Sequence, residues 1–256
     1  MTTSPKENAD PPPELALANI RNVLTRLEET IIFGVIERAQ FCRNAVIYAP
    51  GGVGPQLDGE SLMGFLLRET ERVHALVRRY LSPDEYPFYD NLPAPLLPAL
   101  PPAGPLAPNR INLNVELRMR YETEIVPFLC RPGDDGQWGS SAVNDVHLLQ
   151  ALSKRIHYGK FVAESKYRAA PERLDALCRA RDEAGLMAAI TDAAVEAGVL
   201  ERVRRKAELY GREFEADAGH WRVSPDAVRA LYARWVIPMN KRVQVAYLME
   251  RKGAHA

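Results

Sequence analysis

The sequence contains no run approaching the ~18 consecutive apolar residues that a membrane-spanning helix needs, so no membrane span is expected. It has no excess of charge of either sign, since 33 Lys+Arg stand against 33 Asp+Glu. A neutral chain lacks the electrostatic footprint of a nucleic-acid binder. The basic run Arg202, Arg204, Arg205 and Lys206 sits beside Glu201 and Glu208 and reads as a solvated helix face. The only cysteines, Cys42, Cys130 and Cys178, are far apart and form no CxxC. They suit a reducing compartment better than a disulfide framework or a zinc site. With a polar, proline-rich opening that offers no apolar leader, the expected location is cytoplasmic. There is no HExxH, GxSxG, EF-hand loop, GxxxxGK[ST] or GxGxxG, and the five histidines lack ligand spacing, so neither a metal nor a cofactor is expected. The glycine cluster at 51–54 is flanked by Pro50 and Pro55 and reads as a surface turn.

Alternation of β-branched residues is also nearly absent, while helical spacing is abundant. Leu17, Ile20, Leu24, Leu27 and Ile31 follow 3-4-3-4 steps and define a stripe on a long helix over about 14–42. A second helix is expected over about 59–80 and a third from 113 to 126, stopped by Pro127. Seven prolines between Pro93 and Pro108 exclude helix there; the interleaved leucines suggest a strap over the surface. A long helix should start at a Ser140 or Ser141 cap and run to about Tyr167, with Val143, Val146, Leu149, Leu152, Ile156 and Val162 on its apolar line. Shorter helices follow near 171–180 and 182–190, then 193–210, and a last one opens at Ser224-Pro225. The expectation is an all-α bundle: residues 1–13 a disordered tail, residues 14–252 one domain.

Several polar residues sit on these helices where a core would reject them. Arg21 follows stripe residue Ile20. Arg155 and Lys166, 11 residues apart, project from nearly one face at ~3.6 residues per turn. Asp192 with Glu196, and Asn240 with Gln244, are i,i+4 pairs. Singly, each could be solvated or could cap a helix. His157, alone on its helix, reads as a structural hydrogen-bonding group. Together, three cations would answer a dianion, and carboxylates and amides would answer hydroxyl and ether groups.

The blocks Asn19-Ile20-Arg21, Leu27 to Phe33, Ile36-Glu37-Arg38, Arg78 to Glu85, Leu152 to Lys166, Lys206 to Gly211 and Val236-Ile237-Pro238 resemble the eukaryotic-type, all-helical chorismate mutases over about 14–250. The resemblance implies an intertwined homodimer that rearranges chorismate to prephenate. Its catalytic helices would span about 14–42, 140–167, 193–211 and 225–252, with a regulatory and dimer part over about 44–139. It implies that Arg21 and Arg155 hold the two substrate carboxylates, that Lys166 contacts the ether oxygen and that Glu196 holds the ring hydroxyl. Three positions depart from the fungal pattern: Asp192 replaces asparagine, Asn240 replaces threonine, and Gln244 replaces the glutamate beside the ether oxygen. Asp192 and Gln244 resemble the short bacterial helical mutases; Asn240 matches neither pattern. The resemblance further implies tyrosine and tryptophan effectors bound by Arg78, Arg79, Gly139 and Ser140. However, the family's threonine nearby is Val143 here, and its asparagines are Gly136 and Gln137. The alternative reading is a non-catalytic helical dimer that senses an aromatic amino acid or a small dicarboxylate.

Overall fold

The computed structural model describes residues 12–98, 104–212 and 222–251. Among these, regular structure is helical throughout, with no strand. Of the expected tail, residues 1–11 lie outside the described residues. Pro13–Leu15 forms a single 3-10 turn that buries Leu15.

The helices are α1 (Leu17–Arg38), α2 (Leu62–Leu76), α3 (Asn114–Arg120), α4 (Val126–Leu129), α5 (Trp138–His157), α6 (Gly159–Ala169), α7 (Pro171–Arg179), α8 (Glu183–Ile190), α9 (Ala193–Tyr210), α10 (Pro225–Leu231) and α11 (Ile237–Arg251). α1 packs along α5 and touches α9, while α11 packs against α6, α8 and α5. The shared core takes Ile31, Ile32 and Val35 from α1, Leu148, Leu149 and Leu152 from α5, and Val243 from α11. Polar side chains that point inward at the junction of α1, α5, α6, α9 and α11 therefore face one another.

The interruption expected at Pro127 is accommodated instead. Pro127 does not end its helix and Pro238 does not break the last one. Each follows a π turn, Tyr121–Ile125 before α4 and Tyr232–Val236 before α11. A proline ring clashes with the carbonyl four residues back. Those residues, Thr123 and Arg234, lie within the widened turns, where i→i+5 bonding relieves the clash. The expected serine cap is also absent: α5 starts at Trp138 after Gln137, and buried Ser141 instead accepts from Asn44 Nδ2 at 2.9 Å. Asp135 secures the approach to α5, accepting from Cys42 N at 2.7 Å and Gln137 N at 3.0 Å.

One buried polar network ties α1, α5 and the π turn together. Arg38 Nε donates to Asp145 Oδ1 at 2.6 Å, with both side chains fully enclosed. Tyr48 and Tyr121 donate to the same carboxylate at 2.6 and 2.7 Å, and Arg38 also reaches the Cys42 and Arg43 carbonyls at 3.0 Å. All three guanidinium nitrogens of Arg38 and both carboxylate oxygens of Asp145 are engaged, which is the condition for a buried pair to persist. His157 is structural: Leu113 N donates to Nε2 at 2.9 Å, Nδ1 faces Ser153 O at 2.9 Å, and burial pushes its pKa down to about 4. Removing one partner of the Arg38–Asp145 pair should be severe. Asp145→Ala is expected to cost about 3–5 kcal/mol in urea denaturation; a loss below about 1 kcal/mol would contradict this account of the core.

Candidate active site

The cleft has two connected lobes. In the first, of about 560 Å³ including its open mouth, Arg155, Lys166, Asp192, Glu196, Asn240 and Gln244 line the wall together with Leu24, Val162, Val199 and Lys241. That size is ordinary for a small-molecule site. The second is lined by Arg21, Thr25, Glu28, Gly198 and Arg202. Leu24, Arg155, Val195 and Val199 belong to both. Six of the seven residues singled out from the sequence thus share one lobe, and Arg21 stands in the other, beyond Arg155.

Each side chain is delivered by its helix. Arg155 leaves the last turn of α5 and Lys166 the last turn of α6; only Tyr158 interrupts the helical path between them, so the 11-residue spacing brings both to one cleft. Asp192 is also the N-cap of α9, accepting from Ala194 N at 3.0 Å and Val195 N at 3.1 Å. Glu196, one turn on, pairs with Lys241 at 2.9 Å. Lys166 Nζ donates to the Ile190 carbonyl and faces Gln244 Oε1 at 3.5 Å. Burial pulls the Lys166 pKa below the ordinary lysine value, with Asp192 and Glu196 opposing the shift.

Arg155 differs from its neighbours. It is 5% exposed, its Nε is enclosed without an acceptor, and its guanidinium makes no hydrogen bond or ion pair among the described residues. Burial lowers its pKa from the ordinary arginine value. The carboxylate whose charge acts on it, fully buried Glu28, is already committed: Arg202 grips it at 2.8 and 2.6 Å and Lys206 approaches at 3.3 Å. Across both lobes, Arg21, Arg155, Lys166, Arg202 and Lys241 face Glu28, Asp192 and Glu196, leaving two positive charges uncompensated. Such a site is built for a dianion.

Sequence reasoning missed two parts of this wall. Lys241 stands between Asn240 and Gln244, where no polar partner at i,i+4 marks it in the sequence. Arg202 and Lys206, read as part of a solvated run, instead point inward to Glu28; only Arg204 and Arg205 pair along the helix with Glu201 and Glu208. The signal was present, because Arg202 and Lys206 are four apart and flank the buried Val203 and Ala207. The effector candidates are not gathered within one chain. Arg79 bonds Glu85 at 3.1 Å and Gln150 at 2.9 Å, eleven residues along α5 from Gly139, or roughly 16 Å at ~1.5 Å per residue. Arg78 donates to the Pro98 carbonyl. No group of three or more potential metal ligands is found among the described residues, and no helix there is long and apolar enough to cross a membrane.

A helical cleft whose working groups are fixed cations and amides, with no nucleophile–base pair in its wall, defines a binding-energy catalyst or a receptor for a small dianion. The type II chorismate mutase family matches residues 139–245. The chorismate mutase of Schizosaccharomyces pombe is 49% identical over 93% of this chain and 97% of its own length. Among solved structures, a chorismate mutase from Candida albicans in complex with L-Trp is 38% identical with a TM-score of 0.89, covering 95% of this chain and 94% of that one. AtCM1 with tyrosine bound in its allosteric site is 42% identical with a TM-score of 0.86, covering 95% and 99%. The chain belongs to the chorismate mutase family, a family of isomerases.

Because Arg155 is held buried and unneutralised, its replacement should relieve the fold. Arg155→Met is expected to raise the melting temperature of the ligand-free protein. A lower melting temperature would show that the guanidinium has an unrecognised structural partner.

Proposed function

We propose that the cleft converts chorismate to prephenate with Arg21 and Arg155 on the two carboxylates, Lys166 and Gln244 on the ether oxygen, and Glu196 on the ring hydroxyl. Asp192 and Asn240 complete the substrate-binding wall. The observation that carries this reading is the pair of uncompensated positive charges centred on unpartnered Arg155. The rearrangement is a unimolecular [3,3] shift, so it asks for no base or nucleophile. As the C–O bond lengthens, negative charge grows on the ether oxygen, and donors already aimed there favour the transition state over the ground state. The arginines hold the enolpyruvyl arm over the ring, which is an orientation effect.

We further read the active species as a homodimer. Val73 on α2, Val77 and Leu81 just beyond it, and Trp138 and Val143 on α5 expose apolar surface of the kind an interface covers. In that assembly Arg78 and Arg79 of one copy would meet Gly139 and Ser140 of the other around a tyrosine or tryptophan carboxylate. The separation of the two halves within one chain favours this arrangement. That none of the three cysteines forms a disulfide among the described residues supports a reducing, cytoplasmic setting. Calorimetric titration should give heat with tyrosine or with tryptophan; silence with both would reject effector binding.

The charge assignment makes two kinetic predictions. Lys166→Ala should lower the rate about 10²–10³-fold, measured by the loss of chorismate absorbance. A change below tenfold would leave the non-catalytic sensor reading in place. The pH profile gives the second. Of the groups facing the ether position, Gln244 needs no proton to donate, whereas Lys166 does. Asp192, Glu196, Arg155 and Lys241 complete the charged surroundings. Activity should therefore persist from weakly acidic through neutral pH, then fall on the alkaline side below the ordinary lysine range as Lys166 loses its proton. Gln244→Glu should add a fall between acidic and neutral pH; an unchanged profile in that variant would contradict the placement of Gln244.

A further inference from the structure

Asn240 is the wall residue with no counterpart in either related pattern, and its contacts assign it a task. Its Nδ2 donates to the Ile156 carbonyl at 3.0 Å and the Arg155 carbonyl at 3.3 Å, and its Oδ1 accepts from Gln244 Nε2 at 2.9 Å. Both amides are buried, at 8% and 4% exposure.

This chain of contacts admits one sense only. Backbone carbonyls accept and never donate, so the end of Asn240 toward α5 must be its NH2 group. Its oxygen then faces Gln244 and can only accept, which requires the Gln244 NH2 there. The Gln244 oxygen is consequently turned toward Lys166, whose ammonium can only donate. Donation runs from Lys166 through Gln244 and Asn240 to the closing carbonyls of α5, next to the interruption at Tyr158.

We infer that Asn240 is a positioning residue that locks the Gln244 amide, so that its carbonyl meets Lys166 and its second N–H remains for the substrate. The inference rests on the proposed function, in which that N–H reaches the ether oxygen. An unanchored glutamine amide turns about a torsion with two broad, nearly equivalent wells. The flipped orientation would offer an oxygen where negative charge develops. Gly159 supports the lock from behind: a Cβ there would fall 2.7 Å from the Asn240 carbonyl oxygen and 2.9 Å from its Nδ2. The absence of a side chain at Gly159 lets α11 approach the start of α6 closely enough for the bonds to form.

The test is a double-mutant cycle on the full-length protein with chorismate. Asn240→Ala should lower kcat about 10–100-fold with KM within about threefold, and the same change in a Gln244→Ala background should alter kcat by less than about twofold. Gly159→Ala, which removes no polar group, should repeat that pattern and covers the case in which Asn240→Ala does not fold. Losses that multiply across the cycle, or a kcat unchanged in Asn240→Ala, would overturn the inference. Selective 15N-glutamine labelling supplies a readout without turnover: the Gln244 side-chain amide signal should shift and exchange faster with water in Asn240→Ala or Gly159→Ala. A wild-type protein inactive on chorismate would overturn the proposed function alone. An unmoved Gln244 signal in both variants would overturn the lock alone.

Discussion

The structure depends on a buried positive charge that its own chain declines to neutralise. A guanidinium in a low-dielectric setting is costly unless paired, and the protein holds two such groups on opposite terms. Arg38 is fully satisfied by Asp145, Tyr48 and backbone carbonyls, and it joins α1 to α5. Arg155, on the same α5, has no acceptor among the described residues, and the carboxylate whose field reaches it is held by Arg202 and Lys206. One arginine supports the scaffold. The other is reserved for a ligand.

Much of the remaining architecture serves that reservation. Glu28 is fixed from α9, so it cannot swing toward Arg155. Glu196 is engaged by Lys241 and Asp192 by backbone amides at the head of α9, so the acidic groups of the wall are occupied before any substrate arrives. The π turn before α11 lets Pro238 stand within a long helix and keeps Asn240 and Gln244 on one rigid face. Preorganisation of this kind is what a reaction without covalent chemistry requires, because the only available lever is a field that is stronger in the transition state than in the ground state.

The sequence was most legible where periodicity and chemistry coincide. Of the stripe, Ile20, Leu27 and Ile31 are buried, while Leu17 is exposed and Leu24 lines the cleft; Arg155, Lys166, Asn240 and Gln244 reach that cleft because helical spacing fixes direction. Legibility failed where tertiary contacts decide. Nothing local to Ser140-Ser141 reveals that Asn44, about 97 residues away in sequence, will claim the Ser141 hydroxyl and leave α5 without a serine cap. Pro127 reads as a stop in its helical pattern; the π turns before it and before Pro238 have no local signature. Arg202 and Lys206 read as surface because their partner, Glu28, is on a helix about 174 residues earlier. The role of Asn240 was illegible for the same reason, since it is defined by carbonyls of α5.

The central claim is that two unmet positive charges select a dianion. It is tested most directly by measuring the affinity of the ligand-free protein for a stable dicarboxylate analogue of chorismate and for the same molecule with one carboxylate masked as its methyl ester. The account predicts that masking weakens binding about 100-fold or more, since a charge-paired buried group is worth about 2–5 kcal/mol, and that Arg155→Met abolishes most of this difference. Equal affinities for the two compounds would contradict it.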